Sequence, residues 1–369
     1  MQIIVLGPHR SGTSLLTRLI NMMGAYFGVG AASIGFNQEN PKGFWERRDV
    51  IDVNDEILLK KGCAWDQLVS WKLEDLPTKK SFRDLDEIDH KIKNVLLELD
   101  ANRPWVTKDP RLCLTYPYWK RHLEVPVIVS MTRDPIEVAL SLKTRNGFPL
   151  HHGLAIWEYY ALGTVSAMRS GVPVIHVTHQ EILSNPYQAV KTILQKLQDA
   201  GVDGLRLPKQ EEVEAFIEPS LYHSKAGALK AEELLTPFQL ELKDMLEGKK
   251  EPPKEGILQP SEMARQAMEF RRIQLKDEEK LLEANKSIAG LNQRLNELSS
   301  DVEFTRTRLR ETEANLEKRQ KEVEKLDRFI TDIQRSTSWK IGNGIARFLR
   351  AVTFSRPPRE KPKSSAPIL

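Results

Sequence analysis

The sequence predicts an α/β fold, a mainly parallel sheet flanked by helices, followed by a long α-helical coiled coil. Three observations lead there. Residues 1 to about 245 alternate short apolar strand signals with helical periodicity, the pattern of parallel strands joined by crossover helices. A Gly-rich turn joins the first strand to the first helix. Beyond a Pro- and Lys-containing linker, a proline-free stretch repeats apolar residues every seven positions to about residue 335.

Strands are expected at 3–6, 105–107, 126–131 and 173–178, and helices at roughly 13–24, 48–61, 85–100, 135–145, 151–170, 186–200 and 210–217. The first strand, Ile3 to Leu6, enters Gly7-Pro8-His9-Arg10-Ser11-Gly12-Thr13-Ser14, after which Leu15, Leu16, Leu19 and Ile20 recur at helical spacing. Such a P-loop-like unit directs backbone N–H groups and the positive helix end at one point, which suits a phosphate or sulfate. Gly7 and Gly12 have the spacing of a Walker A loop, but Thr13 stands where its Lys belongs. The cation is Arg10, inside the loop. A nucleotide-cleaving loop uses its Lys and Mg²⁺ on a highly charged γ-phosphate. Arg10, the loop amides and the hydroxyls of Ser11, Thr13 and Ser14 suit a less charged group such as sulfuryl, and no metal is expected. An ordinary Gly-Pro β–α turn is the alternative.

A second element follows the apolar run Val125 to Met131: Thr132-Arg133-Asp134-Pro135, then Ser141 and Arg145. Asp134 or Thr132 can cap a helix whose first turn holds Pro135. Arg133 then lies at a strand's carboxyl end, where open α/β sheets bind ligands. Arg gives bidentate contacts to phosphate and Ser141 adds a hydroxyl. The alternative is a surface pair of Arg133 with Asp134 or Glu137.

These residues resemble a known family. Gly7 to Ser14 is similar to the phosphosulfate-binding loop of sulfotransferases that use 3′-phosphoadenosine 5′-phosphosulfate (PAPS), with the loop's basic residue at Arg10. Arg133 and, eight residues on, Ser141 resemble the family's 3′-phosphate site; Arg145, one helical turn later, would face the same anion. Lys108-Asp109-Pro110 resembles the Lys-Asp-Pro of protein-tyrosine sulfotransferases. The resemblance covers about 1–245 and implies a PAPS-dependent sulfotransferase of bacterial type. His179 to Pro186 looks like the family's post-strand segment with its Tyr and Asp replaced, and Pro219-Ser220-Leu221-Tyr222-His223 resembles the late loop over the nucleotide. The Arg-Lys-Gly loop of small-molecule sulfotransferases is absent, which favours a carbohydrate or glycolipid acceptor over phenols and steroids.

Sulfuryl transfer needs a base on the acceptor hydroxyl and cations on the sulfuryl and bridging oxygens. Arg10 and Lys108 are the candidate cations, with a structural Lys108–Asp109 pair as the alternative. Glu46, in the loop Asn40-Pro41-Lys42-Gly43-Phe44-Trp45-Glu46, is the candidate base, because related enzymes place a Glu there; it is otherwise a solvated partner of Arg47 or Arg48. His9 is its rival, since imidazole titrates near neutrality. Trp157 and Tyr160 are candidates for stacking on a ring, or core residues.

The chain has 369 residues with 55 Lys and Arg against 51 Asp and Glu. Cys63 and Cys113 make neither a disulfide framework nor a metal-ligand spacing. Met1 and Gln2 run straight into the first strand, leaving no room for a secretory signal, and no apolar run approaches the ~20 residues that span a bilayer. A cytoplasmic location is expected, with the inner membrane face left open by the tail. The expected divisions are 1–245, a sulfotransferase domain; 246–262, a linker; 263–335, a coiled coil; and 336–369, a basic amphipathic or disordered tail.

In the coiled coil the a positions are Leu281, Ile288, Leu295, Val302, Leu309, Leu316, Val323 and Ile330; five of eight d positions are apolar, with Thr305, Thr312 and Arg319 polar in the middle. Eight heptads make roughly 84 Å of helix at 1.5 Å per residue. A parallel homodimer is the simplest outcome; a trimer, another partner helix or a single solvated helix are the alternatives. Residues 336–369 carry seven Lys and Arg against one Glu, leaving 48 basic and 50 acidic side chains elsewhere. Ser336-Thr337-Ser338-Trp339-Lys340 followed by Ile341, Ile345, Phe348, Leu349 and Val352 suits an anionic membrane surface or a protein partner, and weakly resembles a segment trailing bacterial polysaccharide-assembly glycosyltransferases. Nucleic acid is not an expected partner, because the positive charge is confined to this tail. Two other functions compete with sulfuryl transfer: an inactive nucleotide-fold scaffold acting through its coiled coil, and a P-loop nucleotide kinase.

Overall fold

The computed structural model describes residues 1–28, 45–73, 77–78, 82–217, 234–256 and 258–352. Four strands, β1 (Gln2–Leu6), β2 (Trp105–Lys108), β3 (Pro126–Thr132) and β4 (Val174–Thr178), form one sheet in the order β2-β1-β3-β4, all neighbours parallel. Val5 lies opposite Lys108 on one side and Val129 on the other. The chain leaves β1 toward β2 and leaves β3 toward β4, so the connections diverge between β1 and β3. The crevice at the carboxyl ends of those two strands is where such sheets take ligands.

The helices of this part are α1 (Thr13–Met22), α2 (Arg48–Lys60), α3 (Leu85–Asp100), α4 (Leu112–Lys120), α5 (Pro135–Asn146), α6 (Leu150–Met168), α7 (His179–Ser184), α8 (Pro186–Asp199), α9 (Gln210–Phe216) and α10 (Pro237–Leu246). Strand side chains alternate between two faces. Ile3, Val5, Val106, Val127, Val129 and Met131 pack with α1, α8 and α9; Ile4, Leu6 and Ile128 pack with α2, α3, α4 and α6. Every residue of β3 is buried, as expected of a strand covered on both sides.

The expected elements form within one or two residues of their expected limits, and the alternation of strand and helix holds. Three helices lie where no element is expected. α4 is buried on almost every side and contains Pro117, so it shows no helical stripe. α7 is only six residues long and is nucleated by a capping box, in which Thr178 Oγ1 accepts from the Glu181 N–H and Glu181 accepts from the Thr178 N–H. α10 starts on a second box between Thr236 and Gln239.

Two compact units divide the chain, Met1–Glu279 and Lys280–Leu369. The long helix α11 (Glu262–Arg335) begins in the first, where Ala264, Ala267 and Met268 are buried. Its start is held by Glu158, a fully buried carboxylate of α6. That group accepts from the Ser261 N–H at 2.5 Å, Ser261 Oγ at 3.0 Å and Gln239 Nε2 at 2.8 Å. In the second unit α11 runs on to Arg335 and is followed by α12 (Thr337–Val352). All eight a-position side chains from Leu281 to Ile330 are exposed in the single chain. Among the described residues no helix is long and apolar enough to cross a membrane. Asn40 to Phe44 and Pro219 to His223 lie outside the described residues.

Candidate functional site

The carboxyl ends of all four strands converge on the loop after β1. Gly7 is the residue that permits it: a Cβ there would sit 2.4 Å from the Met131 carbonyl oxygen, inside contact distance. The Gly7 N–H donates to Cys113 Sγ of α4 at 3.2 Å, and burial pushes that thiol up to about 12. The loop then turns on itself, with the Pro8 carbonyl accepting from the Ser11 N–H at 3.2 Å and from Ser11 Oγ at 2.6 Å. A hydroxyl has one proton. Ser11, expected on the anion, commits that proton to the loop and so shapes the turn.

Arg10 and Gly12 both adopt left-handed backbone, with φ of 65° and 95°. For a non-glycine residue this costs of order 1–2 kcal/mol, a strain tolerated where the surroundings dictate the conformation. Two contacts do so here. Arg10 Nε donates to Ser141 Oγ of α5 at 2.9 Å, and Arg133 Nη1 donates to the Arg10 carbonyl at 3.3 Å. Gly12 is the N-cap of α1 and no side chain caps that helix. The first-turn N–H groups of a helix have no intrahelical partner. Thr13 is buried beside Gly7, and Ser14 is the loop hydroxyl with a cation on it, accepting from Lys108 Nζ at 3.0 Å.

Lys108 ends β2 almost fully buried, and its ammonium is ion-paired with Glu46. Its neighbour Asp109 is occupied elsewhere, accepting from Asn54 Nδ2 at 2.8 Å and Arg111 Nη1 at 3.0 Å. The alternative Lys108–Asp109 pair is therefore not formed, and Glu46 pairs with Lys108 rather than with Arg47 or Arg48. Arg47 instead binds Asp49 and Glu98.

On the far side, Asp134 caps α5 by accepting from the Ile136 and Glu137 N–H groups, and Arg133 Nε pairs with Glu137 at 2.9 Å. The surface-pair alternative for Arg133 is thus half realised: its Nε is on Glu137 while its Nη1 reaches the Arg10 carbonyl. Arg145, one turn beyond Ser141, is exposed and acts electrostatically on His9.

His9 is held between Trp65 and Tyr160, each ring centroid 4.7 Å away. Burial drives its pKa well down, and the charges of Arg111, Lys108, Arg145 and Arg10 drive it further. Tyr160 donates to the Trp65 carbonyl at 2.9 Å and Trp157 is fully buried, so these two aromatics are core residues, not a stacking platform.

Two contributors, Arg111 and Asn54, are absent from the sequence expectations, and a third, His179, opens the segment resembling the family's post-strand element without a role of its own. Arg111 directly follows the quoted Lys-Asp-Pro, is ion-paired with Asp55 and Asp109, and has its pKa pushed up by those carboxylates against an opposing burial effect. Asn54 braces Asp109 while accepting from Thr115 and Trp119, a contact that exists only once α2 packs on α4. His179 lies 2.7 Å from where a Gly12 Cβ would be; burial and then Arg133 lower its pKa to about 3. Its place directly after Lys108-Asp109-Pro110 was the available signal for Arg111.

The arrangement gathers Arg10, Arg111, Lys108, Arg133 and Arg145 at one sheet edge beside an uncapped helix start, with Glu46 facing inward at 13% exposure. No known family profile matches the chain, and no curated protein matches it in sequence. Among solved structures, the sulfotransferase domain of the Synechococcus PCC 7002 olefin synthase is 13% identical with a TM-score of 0.37, over 74% of this chain and 94% of that one. Sulfotransferase STF9 from Mycobacterium avium is 17% identical with a TM-score of 0.36, over 67% of this chain and 75% of that one. Likenesses this distant concern the layout of the fold and carry no argument about activity.

Proposed function

We propose that this chain is a sulfotransferase that moves a sulfuryl group from PAPS to an acceptor hydroxyl on a carbohydrate or glycolipid. The observation carrying this reading is the bonded chain Ser141–Arg10–Arg133, which ties the loop after β1 to the segment after β3, the two elements read here as anion-binding. The donor set fits a nucleotide with two anionic groups: three guanidinium groups, the hydroxyls of Ser141, Thr13 and Ser14, and a helix start with no side-chain cap. Arg133, Ser141 and Arg145 would hold a 3′-phosphate. Arg10, Gly12, Thr13 and Ser14 would hold the 5′-phosphosulfate, with Ser11 keeping the loop in shape. PAPS supplies the transferable sulfuryl group and a phosphate leaving group.

The chain's own residues do the rest. Lys108 touches both Ser14 and Glu46, so one ammonium joins the anion loop to the candidate base. Its charge stabilises negative charge building on the bridging oxygen. Glu46 accepts the acceptor hydroxyl's proton and is the better base, because His9 is buried among cations that oppose its protonation. Arg111 and Asp109 fix the turn that presents Lys108. The apolar a positions from Leu281 onward pair two copies of the chain into a coiled-coil homodimer.

Transfer of labelled sulfate from PAPS to a panel of glycans and glycolipids tests the reading. Transfer that vanishes in Glu46→Gln and Lys108→Met supports it. Tight binding of ATP with Mg²⁺ and none of adenosine 3′,5′-bisphosphate would replace it with a nucleotide kinase. Bisphosphate binding without transfer to any acceptor would leave an inactive scaffold.

A further inference from the structure

We propose that α12 is a docking helix for an anionic lipid surface. Ser336 ends α11 and starts α12, its Oγ accepting from the Trp339 N–H at 3.2 Å. Within α12, Ile341, Ile345 and Phe348 follow the i, i+4, i+7 spacing of one helix face and are 58%, 55% and 69% exposed. Val352 continues the stripe in sequence.

The coiled-coil seam does not cover this face. Carried past Ile330 and Ile333, the a and d positions become Thr337, Lys340, Gly344, Arg347 and Ala351, which are polar or small. The apolar residues fall instead at e and b positions, displaced from the seam by about 100° of helix rotation. A partner helix gripping the a/d seam of α11 therefore leaves the α12 stripe open.

Charge identifies the occupant. Lys340 and Arg347 lie to one side of the stripe, about 110–130° round the helix from its centre, and Arg350 on the opposite face; four more Lys and Arg follow before the end of the chain, and Glu360 is the one acid after Asp332. The excess positive charge of the chain is concentrated here, while the preceding 335 residues have 48 basic and 50 acidic side chains. A protein groove would select a pattern of charges; a headgroup layer rewards uniform positive charge around an apolar stripe, with an amphipathic Trp at the boundary. Trp339, 44% exposed beside this helix start, supplies that residue. Gly342 and Gly344 weaken the helix on its own, so its formation gains from a surface that buries the stripe. The surface is independent of the donor pocket and of sulfuryl transfer.

Full-length protein sedimented with vesicles of phosphatidylcholine containing phosphatidylglycerol tests this, with pure phosphatidylcholine as control. Binding is expected to the anionic vesicles only, and to weaken sharply at high salt. Lys340→Gln with Arg347→Gln should lower the partition coefficient about 30-fold, from about fivefold per basic residue. Ile345→Glu with Phe348→Glu should abolish binding while leaving bisphosphate affinity and circular dichroism of α11 unchanged. Equal binding to neutral vesicles, or none to anionic ones, overturns the proposal. So does a change in molar mass by light scattering in the Glu variants, which would assign the stripe to a contact between protein helices.

Discussion

Replacing Lys108 by Met tests the innermost contact of the pocket. The ammonium is 1% exposed and its partner Glu46 is 13% exposed, so removing the cation strands a largely buried carboxylate. Breaking a buried ion pair from one side costs about 3–5 kcal/mol. Water reaches Glu46 to a small extent, which places this case near the lower end, about 3 kcal/mol. With a urea slope of about 3 kcal/mol/M for a unit of this size, the midpoint should fall by about 1 M. Six of the seven tryptophans lie before residue 280, so tryptophan fluorescence reports this unit and not the long helix. The decisive comparison is Lys108→Met with Glu46→Gln, where the loss should shrink because no charge remains. A coupling of about 2 kcal/mol is expected from the double-mutant cycle. A coupling below about 0.5 kcal/mol would show that the two charges do not meet, and would refute the pairing of cation and base.

Three other outcomes follow from the same contacts. His9, His152 and His179 are buried with lowered pKa values, about 4 for His152 and about 3 for His179, chiefly through burial. Below pH 6.5 the unfolded chain binds protons that the folded chain refuses, so stability is lost as pH falls from about 6.5 toward 4, by of order 1–2 kcal/mol per histidine at pH 5. Urea midpoints equal at pH 7 and pH 5 would contradict this. Glu158→Ala removes the acceptor of three hydrogen bonds and should cost at least about 3 kcal/mol while raising amide exchange over 261–268, with exchange over 290–330 unchanged. Leu295→Lys with Leu309→Lys places charge in the seam and should reduce both the molar mass in light scattering and the helical signal at 222 nm; an unchanged mass would show that the seam does not hold copies together.

The fold was legible where apolar residues run unbroken through a strand or recur on one side of a helix. β1 and β3 read directly as apolar runs because both their faces are covered, and α1, α3 and α8 as amphipathic stripes because each buries one side. α4 was illegible because it is buried nearly all round, is only nine residues long and contains Pro117; α6, equally buried, reads as a helix through its nineteen-residue length. α7 and α10 carried a readable sign in Thr178–Glu181 and Thr236–Gln239, the capping-box spacing, but are too short for periodicity to register. Within the site, the eight-residue step from Arg133 to Ser141 runs from the residue before the α5 N-cap to the middle of that helix. That Arg10 reaches Ser141 across 131 residues is a fact of tertiary structure alone. Glu158 was hidden inside the apolar run of α6, where a carboxylate is tolerated only because three donors from distant segments meet it.

Calorimetric titration of the full-length protein with adenosine 3′,5′-bisphosphate in the absence of Mg²⁺ bears most directly on the pocket. Saturable binding is expected, weakened about 10- to 150-fold in Arg133→Ala, the effect of losing a charge-assisted contact. No heat of binding in the unaltered protein, or an affinity indifferent to Arg133, would contradict the joining of the two loops into one anion site.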